Sequence, residues 1–286
     1  MVYMLFGSHV SAAGGVENAP ERAASVGCEV FQFFSRSPQG GPAPKLTPVQ
    51  IATFKQNCAQ FKQAESYIHA PYYINFASPK VSTRVGSAAI IREELERGSM
   101  LGVTYLMTHL GSSREVGEEQ GMEYVVEGLA QLLKEYQGST QFLIENSAGA
   151  GKVIGDSFTE IAEMIEKVEK KLKKKNIIGI CFDTCHAFTS GYNLRNKEVV
   201  RKTLDEFNKE IGLERLKLIH CNDSKADLGE HKDRHEHLGK GKIGLSGFEA
   251  LVQEKRLKKV NFILETPKDT PQDDPKNLAI LKRFCG

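Results

Sequence analysis

Eight short apolar runs punctuate the chain, at residues 4–7, 30–34, 66–68, 105–108, 141–144, 177–182, 216–221 and 261–264. Several are β-branched or aromatic and none is long, the pattern of strands buried on both faces. Between them lie stretches with helical periodicity, at 47–61, 87–101, 122–136, 158–172 and 197–211. Strand-then-helix alternation repeated around the chain points to a closed parallel barrel. At 286 residues the chain suits one such barrel, which usually takes about 250. No Pro/Gly/Ser-rich linker divides it. Residues 1–286 are therefore expected to form a single α/β domain, a (β/α)8 TIM barrel with its site at the C-terminal rim of the strands.

Composition narrows the class without naming a function. The chain is 40% hydrophobic and 26% charged, ordinary for a globular protein, and no stretch has the apolar length that crosses a bilayer. Residues 1–6 lack the charged start and cleavage pattern of a signal peptide. The six cysteines form no C-x-x-C pair, which suits a reducing cytoplasm better than a disulfide framework. A net charge of +2 does not announce a polyanionic partner, so nucleic-acid binding would need a local basic patch. The lysine-rich run 167–175 reads as the solvated end of a helix rather than as that patch.

The chemistry lies at the strand ends. Immediately after the apolar runs come His9, His69, His109, Glu145, Asp183, His220 and Glu265, so seven of the eight expected strands end in a group that binds a transition metal or handles a proton. A barrel converges its C-terminal strand ends on one rim, which would aim these side chains at a common volume. Imidazole with carboxylate suits zinc, with manganese or iron as substitutes at one site. The donors outnumber what one tetrahedral ion can use, so two or more ions are expected, with Glu145 suited to bridge them. Two ions roughly 3.5–4 Å apart form a clamp for in-line attack on a phosphate ester. Further on, His186 in Asp183-Thr184-Cys185-His186 and the pair in Asp233-Arg234-His235 would make a separate three-ligand site.

Other signals carry less. Cys185 reads as a small buried residue, and His231 and His237 as loop residues in a segment too polar for a helix. The stretch 239–244 matches G-x-G-x-x-G but follows a charged loop instead of a strand, which argues against dinucleotide binding.

With these residues in view, the chain resembles the endonuclease IV family of abasic-site endonucleases over nearly its whole length. The resemblance is carried by 179–188 (GICFDTCHAF), 220–225 (HCNDSK), Asp233-Arg234-His235 leading into 238–244 (LGKGKIG), 7–11 (GSHVS) and 263–266 (ILET). It implies a trinuclear zinc site: His69, His109 and Glu145 around the first ion; Glu145, Asp183, His220 and Glu265 around the second; His186, Asp233 and His235 around the third. It further implies a DNA-repair hydrolase that cuts the phosphodiester 5′ to an abasic site in duplex DNA, leaving a 3′-hydroxyl and a 5′ deoxyribose phosphate. The nucleophile would be a zinc-activated hydroxide, with Glu145 and Glu265 as the catalytic carboxylates. Trimming of blocked 3′ ends follows from the same likeness; a monomer is expected, since one copy suffices to bend one site, and the expected location is cytoplasmic, nucleoid-associated in a prokaryote.

For lesion recognition the resemblance assigns Tyr72 to the gap left by the missing base. Family members carry an Arg and a Trp near the tip of the loop after the second strand; here it reads 35–41 (SRSPQGG), Gln39 stands in the Arg position, and the chain has no Trp. Arg36 is expected to contact phosphate or to stand in solvent. His9, Arg36, Gln39, Tyr72 and Arg234 are the expected DNA contacts, with Lys80, Arg84, Lys240 and Lys242 as further backbone candidates. The rival readings are a metal-dependent sugar isomerase or epimerase on the same barrel, and a zinc protein that binds lesions without cutting. The third ligand group, more than such a sugar enzyme needs, favours the nuclease.

Overall fold

The computed structural model describes residues 4–285; Met1, Val2 and Tyr3, part of the segment read for a leader, lie outside them. Eight parallel strands close a barrel in the order β1 (Phe6–His9), β2 (Val30–Phe33), β3 (Ser66–His69), β4 (Tyr105–Thr108), β5 (Gln141–Glu145), β6 (Ile178–Asp183), β7 (Leu216–His220) and β10 (Asn261–Leu264), which pairs back onto β1. Two further strands, β8 (Asp223–Ser224) and β9 (His235–Glu236), form an antiparallel ribbon above the rim. The (β/α)8 fold expected from the alternation is the fold observed.

Helices α1 (Ala19–Ser25), α2 (Pro48–Gln60), α3 (Val81–Leu101), α4 (Glu118–Leu133), α5 (Phe158–Leu172), α6 (Thr184–Thr189), α7 (Lys197–Glu210), α8 (Leu245–Val252) and α9 (Asp273–Cys285) are distributed around and over the sheet. α5 shows why such segments are helical. Ser157 Oγ accepts from Glu160 N at the N-cap, and Ile161, Ile165 and Val168 recur at helical spacing on its buried face. α3 begins six residues before the expected 87, because its first turns carry exposed Val81 and Val85 that hide the periodicity. Strand β1 lies two residues later than the expected 4–7. Among the described residues no helix is long and apolar enough to cross a membrane.

Strand alternation positions the site. Val30, Tyr67, Met107, Leu143, Cys181, Leu218 and Ile263 pack together as an apolar plug inside the barrel. The next inward position on each strand is two residues further on. Those positions are Gln32, His69, His109, Glu145, Asp183, His220 and Glu265. On β1 the same step leads from Leu5 through Gly7 to His9, and only glycine fits at Gly7, where a Cβ would meet the Val30 carbonyl oxygen at 1.8 Å. The site residues thus form one polar layer on top of a dry one.

Candidate metal centre

Glu145 sits at the middle of this layer with its carboxylate fully buried, and its two oxygens face different partners. Oε2 lies 3.1 Å from His69 Nε2 and 3.5 Å from His109 Nε2. Oε1 lies 2.8 Å from His220 Nδ1 and 3.6 Å from His186 Nδ1. His220 Nδ1 is also 3.2 Å from Glu265 Oε2. Two groups of potential ligands therefore share one carboxylate: His69, His109, Glu145, and Glu145, Asp183, His220, Glu265.

A third group stands on α6, the β8–β9 connection and the first residue of β9. Asp233 Oδ1 is 3.2 Å from His186 Nε2 and 3.4 Å from His235 Nε2, and the two Nε2 atoms are 3.4 Å apart. Zinc bonds of roughly 2.0–2.1 Å at tetrahedral angles separate neighbouring ligand atoms by about 3.3 Å, which is the triangle these three atoms make. Asp183 completes the surroundings, with Oδ2 3.6 Å from His235 Nε2.

The histidines are turned for ligation by what holds their other nitrogens. His69 Nδ1 meets the Ala70 carbonyl oxygen at 2.6 Å, His186 Nδ1 the Asn146 carbonyl at 3.1 Å, and His235 Nδ1 the Glu265 carbonyl at 3.1 Å. A carbonyl oxygen accepts only, so each Nδ1 carries the proton and each Nε2 turns its lone pair to the cluster. His109 Nδ1 is buried without a hydrogen-bond partner among the described residues. The result is a pocket of lone pairs and carboxylates that needs positive charge. Protons meet that need in the bare chain. Burial alone would lower His186, but Asp183 and Asp233 outweigh it and raise its pKa to about 10. Burial would raise Glu145, yet His109, His220 and His69 hold it well below the usual carboxylate range. Burial likewise opposes ionisation of Asp233, and the adjacent His186 overcomes it. The donor set fits divalent cations of the zinc class.

Several residues without a signal in the sequence build this arrangement. Gln32, on the one strand without a titratable rim residue, is fully buried and bridges His220, His9 and Glu265. Asn222 donates from Nδ2 to Asp183 Oδ2 (2.6 Å) and accepts the Glu265 N–H at 2.8 Å, joining two potential ligands. Asn146 Oδ1 accepts the Asp183 N–H at 2.7 Å. Lys268 Nζ donates to Ser8 Oγ (2.9 Å) and to the His9 carbonyl, tying the loop after β10 to the C-terminal end of β1. Neutral amides at strand positions do not stand out in a search for metal ligands; of these, only Asn222 falls inside a motif that carries the family resemblance.

The glycine-rich stretch also has a purpose. The Asp223 carboxylate accepts the N–H groups of Gly239 (2.9 Å), Gly241 (3.0 Å) and Gly244 (3.3 Å) on Oδ2, and those of Ser224 (2.8 Å) and Ile243 (2.9 Å) on Oδ1. It is an anion cradle filled by the chain's own acid, and a Cβ at Gly241 would strike the Ser224 carbonyl at 2.4 Å.

Around the ligands lies a recess of about 330 Å³ lined by His9, His69, Tyr72, His109, His186, Asp233, His235, Glu265 and Lys268. Tyr72 stands at its lip, 70% exposed, with its ring 5.3 Å from that of Phe34. His9 lies within the recess, its Nδ1 accepting from Gln32 Nε2 at 3.0 Å. Gln39 is exposed on the loop after β2, and Arg234, Lys80, Lys240 and Lys242 are exposed as well. Arg36 is not: the expectation of a phosphate contact or a solvated side chain is corrected. Its guanidinium is 3% exposed and spent on Glu93 and on Glu94 (3.0 Å), two carboxylates that α3 places under the loop. Arg84 is also engaged, bonding the Ser78 carbonyl at 2.7 Å and lying over the Tyr124 ring.

Residues 20–284 match the family model described as a xylose isomerase-like TIM barrel. A probable endonuclease 4 of Nitrosopumilus maritimus is 40% identical over 99% of this chain and 100% of its own length. One from Aquifex aeolicus is 38% identical over 98% of this chain and 97% of its own. The chain belongs to the endonuclease IV family. The crystal structure of endonuclease IV from Thermus thermophilus superimposes with a TM-score of 0.86 at 32% identity, covering 98% of each chain. A D-tagatose 3-epimerase-like protein, 21% identical with a TM-score of 0.70, shares the barrel fold alone.

Proposed function

We propose that this endonuclease IV family member repairs DNA by hydrolysing the phosphodiester 5′ to an abasic site in duplex DNA, as a monomer in the cytoplasm, with three zinc ions held by nine side chains. His69, His109 and Glu145 would hold one ion; Glu145, Asp183, His220 and Glu265 the second; His186, Asp233 and His235 the third. The observation that carries the reading is the triangle of His186, Asp233 and His235 atoms, 3.2, 3.4 and 3.4 Å on its sides, beside a carboxylate already shared by two other groups. A phosphate ester offers enough oxygens to engage three centres; a small sugar does not need them.

When bound, the ions supply an acidified water and Lewis acidity toward the phosphate oxygens. The chain's own residues do the rest. Glu145, ionised because histidines surround it, splits its two oxygens between two ligand groups and fixes their spacing. Glu265, its backbone anchored by Asn222 and its Oε1 held by Gln32, keeps Oε2 toward His220 and orients the attacking water. The water oxygen joins phosphorus, the bond to the 3′ oxygen breaks, and that oxygen leaves as a hydroxyl, with the 5′ deoxyribose phosphate on the other fragment. The exposed Tyr72 ring fills the gap where a base is missing, and His9, Gln39 and Arg234 meet the strand nearby. A 3′ terminus ending in a blocking phosphate or sugar fragment presents the same ester to the same groups, so 3′ trimming is part of the proposal.

The test is a duplex with one abasic-site analogue, incubated with zinc-loaded protein, with His186→Ala, and with chelator-treated protein. Cleavage 5′ to the lesion, weakened in the variant and lost on chelation until zinc is restored, supports the reading. Absence of cleavage by loaded protein overturns it.

A further inference from the structure

We propose that Gln32 is a positioning residue that fixes which nitrogen of His220 carries the proton and turns Glu265 toward the same ion. The inference rests on the metal-centre reading above and deepens it. Its basis is the polarity of one buried amide. Gln32 Nε2 donates to Glu265 Oε1 at 2.6 Å and to His9 Nδ1 at 3.0 Å, while Gln32 Oε1 receives His220 Nε2 at 2.7 Å. Reversing the amide would set its oxygen against a carboxylate, so the orientation has one answer. Facing an oxygen, His220 Nε2 must be the N–H. His220 Nδ1 is then the nitrogen left to face Glu145 Oε1 at 2.8 Å and Glu265 Oε2 at 3.2 Å, where a proton holds the three atoms together in the bare chain and a metal ion would take the proton's place. Where His69, His186 and His235 use backbone carbonyls for this purpose, His220 on β7 uses a side chain from β2, with β10 and β1 between them around the barrel. The same amide keeps Glu265 Oε1 occupied, which leaves Oε2 for the ion.

Gln32 is fully buried on β2, a strand that offers no ligand of its own, so β2 takes part in the centre through the residues that Gln32 holds. Outer partners of metal-bound histidines are commonly worth about 10- to 100-fold in metal affinity.

The experiment uses the full chain with Gln32→Leu, which removes all three bonds, and Gln32→Glu, which keeps the size and the acceptor but sets a carboxylate against Glu265. Zinc affinity is read by competition with a chromogenic chelator, and the His220 tautomer by long-range ¹H–¹⁵N correlation of the ring nitrogens in zinc-loaded protein. Both variants are expected to bind their second-tightest zinc about 10- to 100-fold more weakly, with the Nε2–H signature of His220 retained in Gln32→Glu and disturbed in Gln32→Leu. Unchanged affinity in Gln32→Glu, the variant of native shape, overturns the inference even if Gln32→Leu fails to fold. Cleavage of an abasic duplex is scored separately: wild-type protein that binds zinc as described but cuts no DNA would sink the nuclease reading and leave the role of Gln32 standing.

Discussion

His186 Nε2 stands 3.2 Å from Asp233 Oδ1, one on a buried helix that opens at the end of β6, the other on the connection between β8 and β9. This contact makes the ion-free protein and the loaded one respond to pH in opposite ways. Burial opposes a proton on His186, but Asp183 and Asp233 raise its pKa from 6.5 to about 10. A raised folded-state value means that the stabilisation is fully present below pH 6.5 and is lost as pH rises through about 10. Zinc must displace that proton, so loading tightens over the same window. Thermal midpoints of chelator-treated protein are expected to fall between pH 6.5 and 10 while zinc affinity rises. Calorimetric titration in buffers of different ionisation enthalpy should register proton release. A flat midpoint for the ion-free protein and no released proton would contradict this.

The loop that carries Asp233 and His235 depends on a residue that touches neither. Asp223 gathers five backbone N–H groups across 224–244. Asp223→Asn places an NH₂ where at least one of those donors must be received, and each charged hydrogen bond lost costs about 1.5–3 kcal/mol. If the chain holds the three zinc ions proposed for it, the variant is expected to retain one fewer than the wild type, and to exchange its 224–244 amides faster by hydrogen exchange. Full zinc content with unchanged exchange would refute the dependence.

How much of this could be read from the chain differs by residue for physical reasons. His69, Glu145, Asp183 and His220 end their strands as expected, because imidazole and carboxylate are rare just beyond buried apolar runs and the inward direction recurs every two residues. Gln32 obeys the same spacing, two residues beyond Val30, yet a neutral amide inside an apolar run carries no charge by which to notice it. The ribbon that delivers His235 has two-residue strands, too short for any periodicity. Arg36 defeats a reading from sequence because a loop arginine is solvated by default, and the residues that bury it, Glu93 and Glu94, arrive from a helix more than fifty positions away.

Tyr72 packs against Phe34 and His69 at the rim yet presents most of its ring to solvent. Stacking on a base is worth about 1–3 kcal/mol. Tyr72→Ala is expected to weaken binding of an abasic duplex about 10-fold while moving the thermal midpoint by no more than an ordinary surface substitution, within roughly 0.5 kcal/mol of stability. Fluorescence anisotropy with a labelled duplex and a thermal melt make the comparison. Loss of stability with unchanged binding would assign Tyr72 to the barrel rim instead.

Arg36 supplies the converse case. Its guanidinium pairs with Glu94 at 3.0 Å, Ser35 Oγ donates to the same carboxylate at 2.6 Å, and Arg97 bonds the Ser35 carbonyl and the Pro44 carbonyl at 2.7 Å each. Arg97 thereby closes the loop after β2 at both ends, and Arg36 and Glu94 hold the clip together. Removing one partner of a buried pair costs about 3–5 kcal/mol because the other charge is left unpaired. A residue that neutralises a phosphate acts differently, since its loss lowers the slope of log affinity against log salt by about 1. Arg36→Ala is expected to destabilise the protein by about 3 kcal/mol in denaturant unfolding, and to leave the salt slope of duplex binding unchanged. A reduced slope with native stability would return Arg36 to the DNA, against a guanidinium whose Nε and Nη2 are already engaged by two carboxylates.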